Sequence, residues 1–490
     1  MIPTLLGVLL SIAAFTVHPL PEGTQLHVRL TTGVGSYASV PGSPVSAVLI
    51  APVIVEGETI LQAGSTLAGR VKSVTRVGFG VRHETAGLDL EFSQITPPEG
   101  AGVPISAQVA EVDNGRERVT RDGRIQGVRS TGSLCYRVSG YIRTALHWEI
   151  HAELAEWAIR SLFMELPEPE IYYPAGVEFT LTLAQPLSLN PQANRGQTGG
   201  QLPENQREEL AGLVATMPHR TRAPISGRSS DLTNVLFIGS EGQIVTAFNA
   251  AGWTQPDPAS LRGRIHWIRA AAELRGDDAA PMSLLLLNGS GPNMSWQKGL
   301  NDVSKRHHIR MWKEPGMWQG REMWVGASTR DIDFAYLRRG GRLSHRIDED
   351  IDQERDKVAY DLAFSSCGKI LDWTDRADFP LLARNATGDP IVTDGRMVVI
   401  ELNDCQAPRL STETLDSTTL PEHGDKLQRF ARREILSARN ELIRTNPYWR
   451  VFEASRWMVY SIRQRKHETP DPELLSDSPM AWLSYRQPPN

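Results

Sequence analysis

Histidines and carboxylates gather in two short stretches in the second half of the chain. "KRHHIRMW" places His307 beside His308, and "HRIDEDIDQERD" begins with His345. Imidazole and carboxylate side chains bind borderline metal ions and serve as acids and bases in hydrolytic enzymes. The candidate catalytic residues are His307, His308, His345 and Asp331. Their types leave the identity of a metal, and of any other cofactor, unknown.

The same region also suggests an anion-binding site. Guanidinium groups match phosphate and carboxylate groups in a bidentate manner. The candidate ligand-binding residues are Arg306, Arg310, Arg330 and Asp348. Because neighbouring residues of a strand point to opposite faces, His307 and His308 cannot reach the same pocket. We expect His308 to share a face with Arg306 and Arg310.

The acidic stretch after His345 has a structural interpretation as the start of a helix. Asp350 is placed as the N-cap with Gln353 closing a capping box, and the surrounding acids suit the positive end of the helix dipole. Ile351, Val358 and Leu362 form the predicted buried stripe, with Asp352 and Arg355 or Asp356 on the solvent side. His345 and Asp348, just before the helix, therefore remain the positions that can face a pocket.

Composition sets limits on the function. The chain has 490 residues and a formal charge of −5, which argues against a nucleic-acid binder. No phosphate-binding loop, GxSxG elbow or dinucleotide fingerprint occurs. Of the three cysteines, Cys367 and Cys405 share a segment and are the favoured pair for a single disulfide, which leaves Cys135 as a lone thiol.

The first 21 residues predict a signal peptide or an N-terminal anchor. Ile2 to Val17 is an apolar run. It is short for a membrane span, which needs roughly 20 apolar residues. We therefore expect an exported protein that is periplasmic or anchored in the envelope.

Residues 24–187 predict an all-β, barrel-like domain with one inserted helix. Short β-type runs are separated by Gly, Pro and Asn, at the spacing of a barrel or sandwich. "LQAGSTLAGRV" and "YPAGVEFTLTL" share an Ala-Gly turn before an alternating strand. Between them, apolar residues from Ile142 to Leu162 recur at helical spacing.

The rest of the chain divides into three parts. Residues 188–230 are rich in Pro, Gln, Asn and Gly, which predicts a linker, with one short helix at "PENQREELAGLVATM". Residues 231–405 mix strands, including "SLLLL", "RHHIRMW" and "RMVVIEL", with helices that follow Ser240 and Asp350, and they predict an α+β domain. Residues 406–490 predict a basic helical extension and a disordered tail. Its helices either pack on their own domain or make peripheral membrane contact.

Four motifs resemble the LssY C-terminal domain family in order and spacing. They are "NVLFIGSEGQIVTAFNAAGW", "QKGLNDVSKRHHIRMW", "MWVGASTRDIDF" and "HRIDEDIDQERD". The resemblance covers about Leu232 to Cys367, and we expect the domain to extend to Cys405. Some family members fuse this domain to membrane segments and to a lipid-phosphatase module, which implies work at the cell envelope.

Residues 24–187 resemble the small β-barrel of conjugation and type IV secretion outer-ring proteins. The shared features are the Ala-Gly strand starts and a helical insertion before the last strand. This looser resemblance implies a barrel fold.

Together these patterns favour a bacterial envelope accessory protein that binds a ligand or a partner and is connected with secretion. Envelope proteins or an anionic ligand are the expected partners, no nucleic acid is expected, and the oligomeric state is unknown. The alternative is a metal- or histidine-dependent hydrolase of a phosphate- or lipid-derived anion. That alternative requires His345 to lie within roughly 10 Å of His307 or His308, because catalytic groups must converge on one small volume.

Overall fold

The computed structural model describes residues 18–78, 85–133, 136, 158, 164–189, 202–258, 260–277, 279–337, 342–405, 426–445 and 455. These residues form 25 strands, five α-helices and a short 3-10 helix, Ser130–Gly132. Several predicted features lie outside the described residues, except for isolated positions. They are the N-terminal apolar run, Cys135, the helix predicted between Ile142 and Leu162, and the far C-terminus. The fold class predicted from the sequence is confirmed.

The first unit, called the barrel below, contains fourteen described strands. They are β1 His18–Leu20, β2 Gln25–Leu30, β3 Val34–Gly35, β4 Pro44–Leu49, β5 Val53–Val55, β6 Glu58–Leu61, β7 Thr66–Thr75, β8 Gly87–Thr96, β9 Val103–Val112, β10 Arg118–Val119, β11 Arg124–Gln126, β12 Tyr172–Tyr173, β13 Glu178–Leu183 and β14 Leu187–Leu189. Six of them close into an antiparallel ring in the order β8, β7, β4, β2, β13, β9 and back to β8.

Alternation along the ring strands builds the barrel interior. Leu26, Val28 and Leu30 of β2 point inward and are fully buried, because successive side chains of a strand face opposite sides. The two Ala-Gly sequences both form turns with a glycine at positive φ, Gly64 and Gly176, and each turn leads into a ring strand. The internal similarity therefore marks two strands of one barrel, as predicted.

The second unit, called the α+β unit below, contains eleven described strands. They are β15 Arg220–Arg222, β16 Ser229–Leu232, β17 Val235–Ile238, β18 Met294–Lys298, β19 Arg306–Trp318, β20 Arg321–Leu337, β21 Arg342–Ile347, β22 Gly368–Asp375, β23 Leu382–Arg384, β24 Pro390–Val392 and β25 Arg396–Leu402. The main sheet runs β18, β19, β20, β17, β25, β22, and β21 also pairs with β20. Only the β17 and β25 pair is parallel in this sheet.

Helices cover both faces of this sheet. The five described helices of the chain are α1 Glu204–Thr216, α2 Glu241–Ala250, α3 Leu261–Glu273, α4 Ile351–Phe364 and α5 Lys426–Thr445. Helices α2 and α4 pack on one face, and α1 packs on the other. Strand β17 is buried on both faces, which explains its uninterrupted apolar sequence.

The segment predicted as a linker contributes to the α+β unit from Glu204 onward. Leu210 and Val214 of α1 are fully buried against the sheet. The following hairpin of β15 and β16 also contacts this unit through β20 and β23.

The predicted strand at "SLLLL" is wrong. Leu286 and Leu287 form only isolated bridges. The segment turns directly afterwards at Asn288 and Gly289, both at positive φ, so it is too short to pair as a regular strand.

The predicted helix starts are confirmed with one correction. Ser240 and Gln243 form a reciprocal capping box at α2. At α4, Asp350 caps the helix by accepting from the N–H of Asp352, but Gln353 donates to the Asp350 carboxylate and does not accept from the Asp350 N–H. The Asp350 N–H instead donates to Asp348, which replaces Gln353 in this role.

Helix α5 packs on the barrel. Leu436 is fully buried in the barrel core cluster, and Arg432 pairs with Glu170 at 2.8 Å. Packing on the protein's own domain is thus confirmed for this basic helix. No helix among the described residues is both long enough and apolar enough to cross a membrane.

A disulfide joins Cys367 to Cys405, as predicted. Cys367 immediately precedes β22, and Cys405 follows β25 by three residues, so the bond ties together one end of this antiparallel pair.

Candidate functional site

A cleft of about 420 Å³ lies between the barrel and the α+β unit. We call it the interdomain cleft. The barrel contributes residues 50–54 and β13, and the α+β unit contributes α4 and the residues before it. The apolar lining residues are Ile50, Ala51, Pro52, Val53, Ile54, Phe179 and Tyr360. The polar lining residues are Gln25, His27, Asp113, Glu178, Thr180, His307, Arg330, Asp348, Asp350, Gln353, Glu354, Asp356, Lys357 and Asp361.

His307 lies at the inner wall of this cleft, between carboxylates of the two units. Its Nδ1 is 2.5 Å from Oε2 of Glu354 on α4, and its Nε2 is 2.8 Å from Oδ2 of Asp113, the residue after β9. Burial disfavours the charged imidazole, but the charges of Asp113 and Glu354 outweigh burial and raise the pKa of His307 to about 9. At neutral pH both ring nitrogens therefore donate, and the ring is a fixed cation rather than a general base.

A second buried cluster surrounds Glu178 of β13. Its carboxylate accepts from Arg29 of the barrel at 2.6 Å, from Lys298 of β18 at 2.8 Å and from Lys357 of α4 at 2.6 Å. Asp361 accepts from the same two lysines at 2.9 and 2.8 Å. Burial alone would raise the pKa of Glu178, but Lys298, Lys357 and Arg29 outweigh it and hold that pKa well below its usual range. The two carboxylates therefore stay ionised, which satisfies the buried cations.

Arg330 of β20 completes the contact with the barrel. It lies 2.5 Å from Glu111 of β9 and 3.3 Å from Asp113. Burial disfavours its charge, but Asp113 and Glu111 outweigh burial and raise its pKa. The two units are thus joined by an ion-pair network to which the barrel contributes mainly carboxylates and the α+β unit mainly cations.

A second cleft of about 480 Å³ opens beside this network. It is lined by Arg29, by the turn at residues 174–177, by the end of α2 and by residues 298–300. Asp113 and Glu178 line both clefts. The network therefore borders two spaces at the junction of the units.

The opposite face of β19 carries a separate polar cluster around Asp331. Its Oδ1 lies 3.0 Å from Nε2 of His308, and its Oδ2 lies 2.8 Å from Nε of Arg306 and 3.4 Å from Nδ1 of His345. Burial would raise the pKa of Asp331, but His308, His345 and Arg306 outweigh it and lower that pKa far below the usual value. His308 is a buried residue, and Asp331 and Thr329 give it partners inside the fold.

This cluster meets the convergence requirement for a hydrolase but is enclosed. The rings of Trp267 and Phe334 pack near the His345 ring, with centroids at 5.9 and 4.9 Å. The space recorded beside Arg306 holds about 10 Å³. That is room for at most one water molecule. Asp331, His308 and Arg306 are buried, and the side chain of His345 is 18% exposed.

The predicted site residues thus separate into two groups. His307, Arg330 and Asp348 line the interdomain cleft. His308, His345, Asp331 and Arg306 form the enclosed cluster, and Arg310 pairs nearby with Asp231 at 3.2 Å. All three predicted anion-binding arginines are paired with carboxylates of the chain itself, so their positive charge is already compensated.

No group of three or more His, Cys, Asp or Glu residues within the described ranges is arranged to hold a metal ion. The residues around Asp331 instead combine one carboxylate with a guanidinium group and two imidazoles. Arg306, whose Nε lies 2.8 Å from Oδ2 of Asp331, compensates the charge of this carboxylate.

Sequence reasoning missed the residues that connect the two units. They are Asp113, Glu178, Lys298, Glu354, Lys357 and Asp361. Lys357 and Asp361 carried a usable signal, because their i, i+4 spacing places them together on α4. Asp113 and Glu178 carried none, since their partners lie more than one hundred residues away in the chain.

The solvent side predicted for Arg355 is also wrong. Arg355 is 1% exposed and pairs with Asp352, Asp356 and Asp394 at 3.1, 2.8 and 2.7 Å. The loop before β25 covers this face of α4, which helical periodicity alone does not reveal.

Fold and site together define a two-unit protein in which a barrel and an α+β unit enclose a cleft. The model of the LssY C-terminus family matches residues 214–397. This part of the chain is similar to that family, and the resemblance seen in the four motifs is confirmed. The match begins within α1, which agrees with the packing of that helix on the α+β unit.

No curated protein matches the chain. Among solved structures, ComB10 of the Com type IV secretion system of Helicobacter pylori is similar at 10% sequence identity, with a TM-score of 0.21. The alignment covers 36% of this chain and 93% of that chain. A similarity at this TM-score supports no conclusion about fold or function.

Proposed function

We propose that this protein is an envelope-associated accessory protein that binds a small ligand in the interdomain cleft. The observation that carries the proposal is the cleft itself, with a volume of about 420 Å³ and walls from two units. Small-molecule sites typically enclose roughly 300–1,000 Å³, occur at domain boundaries and combine an apolar wall with a few polar groups. Residues 50–54 and Phe179 supply that wall here.

The ion-pair network supports a preformed cleft. Glu178 and Asp113 of the barrel are each held by cations of the α+β unit at 2.6–2.8 Å. Ile50 and Val48 of the barrel also pack against Phe364 of α4. Walls fixed in this way reduce the ordering cost of binding.

The hydrolase alternative is less well supported. Its residues converge on Asp331, but the cluster is buried and the adjoining space holds about 10 Å³. In the cleft, His307 is held as a cation by Asp113 and Glu354 and cannot accept a proton at neutral pH. Ligand binding without catalysis therefore agrees better with the geometry.

Fluorescence titration with N-phenyl-1-naphthylamine, a neutral apolar dye, tests the binding proposal. We expect saturable binding of one dye molecule to the full chain. Ile54→Trp should abolish it, because Ile54 lines the cleft and a larger ring fills the space. Ile225→Trp is the matched control, since Ile225 is 86% exposed and does not line the cleft. No saturable binding, or equal binding by both variants, would contradict the proposal.

Envelope location is the second part of the proposal and is supported by the apolar run from Ile2 to Val17. Cell fractionation of a bacterial host that expresses the full chain tests it. We expect the protein in the periplasmic or membrane fraction, and we expect a variant without residues 2–17 to remain in the cytoplasm. The same distribution for both forms would contradict this part.

A further inference from the structure

His27 is a cleft residue that belongs neither to the ion-pair network nor to the enclosed cluster around Asp331. It lies on β2 between Leu26 and Val28, which are buried inside the barrel, so its side chain points outward and is exposed. The same side chain lines the interdomain cleft. His27 is therefore open to a ligand that enters the cleft from solvent.

Only one ring nitrogen of His27 is hydrogen-bonded within the part of the chain that the structure describes. Nδ1 lies 3.2 Å from Oγ1 of Thr180, its neighbour on β13. Nε2 has no hydrogen bond to any described residue. It lies farther from the backbone than Nδ1, at the end of an exposed side chain. This nitrogen is therefore available for a hydrogen bond with a ligand.

The His27 ring is uncharged at neutral pH. It is accessible, but it stands in a concave wall whose atoms reduce its hydration, and this disfavours the imidazolium. The loss of hydration, followed by the charge of Lys357, lowers the pKa of His27, although Asp113 and Glu178 oppose the shift. Depending on its tautomer, a neutral imidazole offers either a donor or an acceptor at Nε2. A hydroxyl group pairs with either tautomer, because it can both donate and accept.

An apolar surface begins directly beside this ring. The N–H of Ile50 donates to the carbonyl of His27 at 2.9 Å, so the two backbones are adjacent. From there, residues 50–54 continue along the cleft with an entirely apolar sequence. A ligand whose polar end reaches His27 can thus place an apolar chain on this wall.

The charged groups of the cleft favour an uncharged ligand. Each of its cations is paired with a carboxylate of the chain itself; these cations are His307, Arg330 and Lys357. Asp348 and Asp350 accept from backbone N–H groups at the start of α4, where the helix dipole favours negative charge. A charged ligand group would therefore give up hydration and compete with contacts that the chain already makes.

We propose that the ligand is an uncharged amphiphile with a hydroxyl group, such as a long-chain alcohol, and that His27 binds this hydroxyl. This inference rests on the proposed function, because it uses the same cleft. The hydroxyl forms a hydrogen bond with Nε2 of His27, and the apolar chain lies on residues 50–54.

Displacement of N-phenyl-1-naphthylamine from the full chain by three probes of equal chain length tests the ligand class. The probes are 1-octanol, octylammonium and octanoate. We expect 1-octanol to bind at least about tenfold more tightly than either charged probe, because only the alcohol enters without losing the hydration of a charge. Equal or tighter binding of either charged probe would overturn the assignment of the ligand class.

His27→Phe tests the role of the imidazole, since phenylalanine keeps a flat ring and removes both nitrogens. With the affinity of the dye measured for each variant, His27→Phe should lose about fivefold in affinity for 1-octanol, which corresponds to one hydrogen bond. His27→Gln should stay within about twofold of the original chain, because its amide also donates and accepts. His266→Phe is the matched control, because His266 is exposed on α3 and does not line the cleft. It should leave the affinity unchanged.

If His27→Phe does not keep the thermal transition of the original chain, His27→Leu replaces it with the same expected loss. Unchanged affinity for 1-octanol in the folded variant would overturn the role of His27. In that case, dye binding that Ile54→Trp abolishes would leave the proposed cleft function standing. Absence of saturable dye binding to the original chain would overturn both proposals.

Discussion

Asp113 of the barrel and Glu354 of α4 hold His307 from opposite sides of its ring, at 2.8 and 2.5 Å. A histidine in this position connects the two units through ion pairs rather than serving as a general base. Its residue type alone suggested catalysis, whereas the two carboxylates beside it raise its pKa to about 9 and so favour protonation of both ring nitrogens.

His307 should make the stability of the protein depend on pH. Its pKa of about 9 in the folded chain lies above the ordinary value of 6.5, so the imidazolium stabilises the fold fully below pH 6.5. This contribution, on the order of 3 kcal/mol, is lost as the pH rises through 9. Thermal unfolding between pH 6.5 and 9.5 should therefore show a falling midpoint.

His307→Gln is the control for this titration. The variant should be less stable at pH 6.5 and should show a much flatter dependence up to pH 9.5, since glutamine does not titrate. A slope equal to that of the original chain would mean that other groups cause the dependence.

At the residue scale, the sequence correctly predicted that His307 and His308 point to opposite faces of their strand. Asp331, His308 and His345 do come together. The partners that determine their roles could not be predicted, because Asp113 and Glu178 belong to the barrel and meet the α+β unit only in the folded chain. Ion pairs between segments that are distant in the chain produce no periodic pattern in the sequence.

At the element scale, periodicity and capping predicted most of the regular structure. Helix α4 begins after Asp350 and buries Ile351, Val358 and Leu362, as the sequence indicates. The prediction of a strand at "SLLLL" was wrong because apolar composition does not specify a pairing partner. The turn at Asn288 and Gly289 also ends the segment after Leu287. The prediction that Arg355 faces solvent was wrong for a related reason, since a loop that is distant in the chain covers that face of α4.

Helix α5 provides a test at this scale, because it attaches the C-terminal region to the barrel. Leu436 is fully buried in the barrel core, whereas Leu427 on the same helix is 74% exposed. Leu436→Ala should lower the free energy of unfolding in urea by about 2–4 kcal/mol, since it removes buried methyl groups and leaves a cavity. Leu427→Ala should change it by no more than about 0.5 kcal/mol. Equal effects would show that α5 does not pack on the barrel in solution.

At the scale of the whole molecule, the protein is a barrel and an α+β unit joined by buried charges. The sequence predicted both units and placed a boundary between them. It could not predict the clefts, because each cleft is formed by segments that are far apart in the chain, such as residues 50–54 and α4.

Glu178 should be the residue whose loss uncouples the units. Glu178→Gln leaves Arg29, Lys298 and Lys357 with Asp361 as their one remaining carboxylate in this cluster. Removing one member of a buried charge network costs about 3–5 kcal/mol. Calorimetry should show two separate transitions in this variant where the original chain shows one coupled transition. Glu91→Gln, which alters only an exposed barrel pair, should keep the original profile.

The most direct test of the interdomain cleft as a ligand site is hydrogen exchange of the full chain with and without saturating N-phenyl-1-naphthylamine. The account predicts slower exchange at residues 50–55 of the barrel and, in the same experiment, at residues 348–357 of the α+β unit, because both line the cleft. Slower exchange in only one of these segments, or in neither, would contradict a ligand held between the two units.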